Sequence, residues 1–346
     1  MKKVRLILVA SLVFMCLGGC ANAKASSEEI VTEAKPEATT STVSAKKYYI
    51  SMKFESKAIA QNLVGEKSEK EVYVYLPPSY YDSDKKYPVI YCLHGFGNGP
   101  EGFLKSYITE LDKMFKAGTK EFILVGVDGT NKAGGSFYAN SVVTGNWEDY
   151  LVNEVVGLID LNFRTINSSN SRGISGFSMG GFGAYNLALS HPDVFSSVFM
   201  MCPGLIADDE LPIALKSWEG DTQFLTAYAQ AFSPNVNDTV KFGDVPILSG
   251  TDEDNVIVQN WKNGFGNINK KVDTYISLKK PLKGIKIIYG EADSYKWIPS
   301  GCKYLAKVLD EKGIKYSMES FTGGHSIPTS VMTKYFIPFF NETLEY

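Results

Sequence analysis

Histidine is scarce in this chain: three residues in 346, at positions 94, 191 and 325. Chemistry that needs an imidazole must draw on these three, and a histidine-rich metal site is excluded. Cysteine is also sparse, with five residues. Cys16 and Cys20 fall at the N-terminus, which leaves Cys92, Cys202 and Cys302, an odd number without regular spacing. That pattern is neither a disulfide framework nor a metal-binding set. Two of the three sit in apolar strand-like runs and one in a helix-like run, as small buried hydrophobes do. There is no basic block, with 35 Lys and Arg against 38 Asp and Glu, so the footprint of a nucleic-acid-binding protein is missing. No internal repeat is visible.

The apolar stretch Leu6–Leu17 is too short for a bilayer span, which needs about 20 residues. Preceded by Lys2, Lys3 and Arg5, it has the layout of a secretory signal. It ends in Leu17-Gly18-Gly19-Cys20, which resembles the lipobox of bacterial lipoproteins. The resemblance implies cleavage before Cys20 and acylation of that cysteine, palmitate being one such acyl group, where an ordinary signal would carry an incidental Cys. The expectation is a signal peptide over 1–19, then a lipidated Cys20 and a flexible tether over 20–46. The tether stretch is rich in Ala, Ser, Thr, Glu and Lys and cannot bury a core. A catalytic domain over 47–346 follows. The protein would be anchored by lipid at the extracytoplasmic face of a bacterial cell membrane without crossing it. Removal of 1–19 lowers the basic count from 35 to 32 against 38 acidic residues, a net charge of −6. Nothing in the sequence reads out an oligomeric state.

The organising stretch is Ser171–Tyr185, a short strand, a tight turn and a helix. Within it Gly176-Phe177-Ser178-Met179-Gly180 matches G-x-S-x-G. A serine on such a turn is strained, and Gly on either side removes Cβ atoms that would strike the neighbouring strand and helix. The helix N-terminus beneath it favours developing negative charge.

Along the chain, Tyr48–Phe54 and Glu71–Leu76 alternate as strands. Val89–Leu93 and Phe122–Val127 are continuous apolar runs of buried strands. Helical periodicity covers Glu101–Lys116, Trp147–Phe163 and Gly180–Ser190, with a strand at Val194–Met201. Residues 203–283 break the rhythm, with helical pieces only around Leu211–Trp218 and Gln223–Phe232, and read as an insertion over the active site. Strand Ile285–Tyr289, helix Pro299–Lys312, strand Lys315–Phe321 and a helix near Ile327–Phe340 complete the pattern. Such alternation specifies an α/β fold with a mostly parallel central sheet, helices on both faces and functional residues at the strand C-termini.

Ser178 needs a base. His94 precedes it, His191 follows a helix in His191-Pro192, and His325 lies in a loop after the last strand. The chain order Ser, acid, His selects His325. The acid should follow the preceding strand, in Gly290-Glu291-Ala292-Asp293: Asp293 is the choice and Glu291 the alternative. The oxyanion donors should be the N–H groups of Met179 and of Phe96, in His94-Gly95-Phe96. His94 would brace that loop. His94, Trp147 and Trp297 are candidate substrate contacts, each with core packing as the competing role. Asp128, Asn131 and Asn140 are weaker candidates in turn-like loops. No metal ligand set is evident.

Together Leu93-His94-Gly95-Phe96-Gly97, Gly176–Gly181 and Gly323-Gly324-His325 resemble the putative-esterase group of α/β-hydrolases. Feruloyl and acetyl-xylan esterases, S-formylglutathione hydrolase (esterase D), enterochelin esterases and mycolyltransferases form that group. Ser136–Ser141 and Thr144–Leu151 share in the similarity, which covers most of residues 70–345. It implies the α/β-hydrolase fold and a serine carboxylic-ester hydrolase without cofactor, acting through an acyl-enzyme on acylated carbohydrate or other small extracellular esters. The chain departs from many feruloyl esterases in carrying Ser326-Ile327-Pro328 after its histidine. An envelope acyltransferase using the same residues is the alternative, and a non-catalytic glycan- or siderophore-binding lipoprotein the third possibility.

Overall fold

A computed structural model describes residues 48–346. Its first strands, β1 (Tyr49–Glu55) and β2 (Glu69–Tyr75), flank the short helix α1 (Lys57–Ala60) and pair antiparallel. Then come β3 (Val89–Leu93), α2 (Pro100–Lys116) and β4 (Ile123–Val127). A two-stranded hairpin, β5 (Asn140–Ser141) and β6 (Gly145–Asn146), leads into α3 (Trp147–Asp149). A wider helical turn over Tyr150–Val155 joins α3 to α4 (Val156–Asn162). The nucleophile segment is β7 (Arg172–Phe177) and α5 (Met179–Ser190), followed by β8 (Ser197–Met201).

The insertion holds four helices: α6 (Leu211–Ser217), α7 (Thr222–Phe232), α8 (Asp252–Lys262) and α9 (Ile268–Ser277). After it come β9 (Gly284–Gly290), α10 (Trp297–Glu311), β10 (Ser317–Phe321) and α11 (Ile337–Thr343). The main sheet has the order β1-β2-β4-β3-β7-β8-β9-β10. From β4 to β10 every pairing is parallel, and β2 pairs antiparallel to β4.

Strand alternation sorts the core into two layers. Val89, Tyr91 and Leu93 face a core shared with α5, α10 and the insertion. Ile90 and Cys92 face the other way, onto α2 and α11. Ten of the twelve residues of α5 are buried. It is apolar all round because the sheet lies on one side and α9 on the other, so no polar stripe is called for. The expected fold class is therefore observed, with two helices, α8 and α9, that sequence periodicity passes over. No helix among the described residues is long and apolar enough to cross a membrane. Cys20, the signal segment and the tether lie outside the described residues.

Candidate active site

Ser178 sits between β7 and α5 at φ 55°, ψ −115°. For a side chain other than Gly that conformation costs about 1–3 kcal/mol. Three backbone bonds hold it: Ser178 N–H donates to Met201 O at 3.0 Å, and the N–H groups of Gly204 and Phe182 donate to Ser178 O at 3.1 and 3.0 Å. The flanking glycines are required by contact. A Cβ on Gly176 would lie 2.1 Å from Gly180 O, and one on Gly180 would lie 2.1 Å from Leu93 O.

Ser178 Oγ lies 2.9 Å from His325 Nε2, and His325 Nδ1 lies 2.7 Å from Asp293 Oδ2. Asp293 is fully buried. Its other oxygen, Oδ1, accepts the Tyr295 N–H at 2.9 Å. A buried, hydrogen-bonded carboxylate at Nδ1 places the proton there and leaves Nε2 free to accept from the serine. Glu291 points elsewhere: it is exposed and accepts a hydrogen bond from Ser320 Oγ at 2.7 Å. The structure thus brings Asp293 to the histidine and leaves Glu291 at the surface.

Phe96 and Met179 both line the cavity at Ser178. Among the described residues neither backbone N–H has an acceptor. Met179 is the first residue of α5, where N–H groups lack intrahelical partners. Gly95 permits the close approach, since a Cβ there would lie 3.4 Å from Ser178 Cβ and 3.2 Å from Phe177 Cδ1.

His94 is not a substrate contact. It is fully buried, and both ring nitrogens are engaged. Gly129 N–H donates to Nε2 at 3.0 Å, so Nδ1 carries the proton and donates to Gly95 O at 2.9 Å. Burial pushes its pKa below the usual imidazole value, in keeping with this neutral brace. Trp147 is corrected likewise. It is buried against Tyr150, donates to Thr144 O at 2.9 Å and lies under the Lys70 ammonium, away from the cavity. Trp297 does line the cavity and donates its indole N–H to Ser217 Oγ at 2.9 Å.

Asp128 and Asn131 are loop residues and Asn140 opens β5, and each holds neighbouring backbone rather than facing the cavity. They accept from Thr130, from Ala133 and Gly135, and from Glu148 and Asp149 respectively. His191 closes the C-terminus of α5 and pairs with Glu148 at 2.6 Å, as a structural residue would.

The cavity is about 150 Å³. Its walls include Phe96, Phe177, Tyr295 and Trp297, with Trp218, Asp221, Phe224 and Phe265 from the insertion. Phe177 and Tyr295 pack on the His325 ring at centroid distances of 4.8 and 5.2 Å. Neither was singled out from sequence, although Phe177 is the variable residue of the serine motif and Tyr295 stands two residues past the acid. Phe265 is aimed by a clamp: the Lys271 ammonium donates to the carbonyls of Asn263, Gly264 and Gly266 at 2.7–2.8 Å, and Tyr228 Oη accepts the Phe265 N–H at 2.7 Å. Cys202 is a buried core residue, as expected, but stands just past the strand. It follows β8 at φ 43°, and its sulfur lies within 4.8 Å of Asp293 and His325 donor atoms. Burial raises its thiol pKa to about 12, which keeps a second anion away from the carboxylate.

A family model described as Putative esterase matches residues 66–278. Esterase Rv1288 of Mycobacterium tuberculosis is 35% identical over 130 residues, covering 36% of this chain and 27% of that protein. The chain thus spans about a quarter of the length of this curated relative. Among solved structures, a ferulic acid esterase superposes with TM-score 0.59 at 20% identity, over 86% of this chain and 98% of the other. The S-formylglutathione hydrolase from Agrobacterium tumefaciens gives TM-score 0.57 at 18% identity, over 86% and 95%. At those identities the likeness is one of fold.

Proposed function

This chain belongs to the Putative esterase family, and from that footing we propose that it is a serine esterase that cleaves carboxylic esters through an acyl-enzyme on Ser178. The observation that supports this most is the continuous line from Ser178 Oγ through His325 to buried Asp293, beside two unpartnered N–H groups. His325 Nε2 takes the serine proton as Oγ attacks the ester carbonyl. The N–H groups of Phe96 and Met179 receive the oxyanion. His325 then passes the proton to the departing alcohol, and the C–O bond to that alcohol breaks. A water, deprotonated by the same nitrogen, attacks the acyl-serine and releases the acid.

The cavity narrows the acyl part. A space of 150 Å³ takes a group about the size of benzene, and its aromatic walls favour compact apolar or planar acyl groups. The alcohol part remains outside, where an acylated carbohydrate fits. We place the enzyme outside the cytoplasm on a lipid at Cys20, on the strength of the leader sequence.

The test is a p-nitrophenyl ester series together with a fluorophosphonate probe. Acetate and butyrate esters should turn over and long-chain esters should not, and the probe should label the parent but not Ser178→Ala. Folded parent protein that neither labels nor hydrolyses any short ester would overturn the assignment.

A further inference from the structure

The face of the domain opposite Ser178 carries a groove that no sequence window shows. It forms where the segment after α9 meets the turn after α10, at the N-terminal ends of β9 and β10. Tyr275, Ile276, Leu282 and Ile314 make its floor, and Lys279, Lys280, Lys283, Lys312 and Lys315 its rim. All five lysines are exposed, and so is Ile276 at 43% and neighbouring Leu278 at 44%. Lys312 is paired with Asp273 at 2.6 Å and Lys283 with Glu345. Lys279, Lys280 and Lys315 have no ion-pair partner among the described residues. Three uncompensated cations around an apolar floor stand out on a chain whose net charge is −3.

The register fixes what else lies at this end. Tyr49 pairs with Tyr75, and Tyr75 with Leu124 near the start of β4. β4, β9 and β10 run in the same direction. The chain therefore enters the domain, at β1, on the same end of the sheet as the lysine groove. Gly290 and Phe321, leading to Asp293 and His325, close the other end. β9 has seven residues, which separates the two ends by roughly 20 Å.

We propose that this groove docks on an anionic phospholipid surface. The lysines meet headgroup phosphates, and Ile276 and Leu278 dip toward the acyl boundary. Charge complementarity supports the assignment, as does the start of β1: Tyr49 lies at the end of the sheet that would face the bilayer. Docking would orient the Ser178 cavity away from the membrane. The proposal rests on the lipid anchor at Cys20 proposed above and not on the ester chemistry.

The test uses the lipidated full chain with an environment-sensitive fluorophore introduced through Ile276→Cys. A second probe, through Ser106→Cys, marks the active-site end. Vesicles of phosphatidylcholine alone are compared with vesicles that also contain phosphatidylglycerol. Retention on the neutral vesicles reports the anchor by itself. The position-276 probe should shift to the blue only on the anionic vesicles, and the position-106 probe should not shift. The shift should vanish in about 1 M salt, where the Debye length falls to about 3 Å. It should also vanish in the Lys279→Glu/Lys280→Glu/Lys315→Glu variant, whose unchanged p-nitrophenyl acetate hydrolysis shows that it is folded. An unshifted 276 probe on anionic vesicles overturns the proposal. So does an equal response from the triple variant, or a response to soluble polyglycerol phosphate but not to vesicles.

Discussion

Asp293 and Glu291 stand two residues apart in one loop and face opposite surroundings, and that contrast sets the first experiment. Asp293→Asn keeps the side-chain shape but makes the Nδ1 partner an amide, so the histidine loses its orienting charge. The expected loss in kcat is roughly 10³–10⁴-fold. Glu291→Gln removes only an exposed charge and leaves an amide oxygen that can still accept from Ser320, so it should change kcat by less than about twofold. Steady-state kinetics on a short p-nitrophenyl ester checks both, and a larger loss from Glu291→Gln would exchange their roles. His191 offers a test of a different kind. The hydrogen bond to Glu148 raises its pKa above the ordinary 6.5. A raised folded-state pKa stabilises fully below the unfolded value and loses that effect as pH climbs through the folded one. Glu148→Gln should therefore lower the unfolding free energy, read from urea denaturation, at pH 6 by about 1 kcal/mol at most for a partly exposed pair, and by much less at pH 9. At this scale the sequence was informative where chemistry demands a residue type. Chain order picked His325 from three histidines, and the spacing after a strand brought Asp293 into view. It was silent on Tyr295 and Phe177, because a ring packed on an imidazole leaves no mark that distinguishes it from any other buried aromatic.

Gly176 and Gly180 belong to the scale of the element, since their task is to let β7, β3 and α5 come together. Gly180→Ala puts a methyl 2.1 Å from the Leu93 carbonyl, backbone against backbone, with no flexible end to yield. The cost should exceed the ~1–3 kcal/mol of ordinary overpacking. A thermal melt should show either a large drop in Tm or no soluble protein. The insertion is the element whose form sequence conveyed least. Its helix α8 carried readable signals: Thr251 caps it, accepting from Asp254 N–H, acids fill its first turn, and Lys262 sits in its last. Its apolar stripe is weak, and periodicity alone passed it by. α9 follows Asn267, which has a left-handed φ of 51° and makes no side-chain cap, so only the residue type there marked its start. These helices matter because Trp218, Phe224 and Phe265 reach the cavity from this segment. Phe224→Ala should enlarge the cavity and shift selectivity toward longer acyl chains. A ratio of kcat/KM for butyrate over acetate that does not rise would argue that α7 leaves the acyl group alone.

At the scale of the molecule, the order of strands and helices was legible because a parallel sheet requires apolar runs separated by amphipathic helices. The doubling of the core into two layers followed from alternation within those runs. What could not be read was any surface built from distant segments: Lys279–Lys283 and Lys312–Lys315 are each unremarkable in sequence and meet only when β9 and β10 lie side by side. The leader makes a separate prediction at this scale. Cys20→Ala should move the protein from the membrane to the soluble fraction on cell fractionation, and retention in the membrane would argue against acylation at that site. One further consequence follows from the aromatic walls. The chain has four tryptophans. Trp218, Trp261 and Trp297 form one cluster, with Trp218 at 6.3 Å from Trp261 and 5.3 Å from Trp297 between ring centroids. Only Trp147 lies apart from them. Most of the intrinsic ultraviolet emission of this protein therefore originates beside the acyl cavity, and a rapid-mixing fluorimeter should see each turnover as a transient in that light, without any added dye.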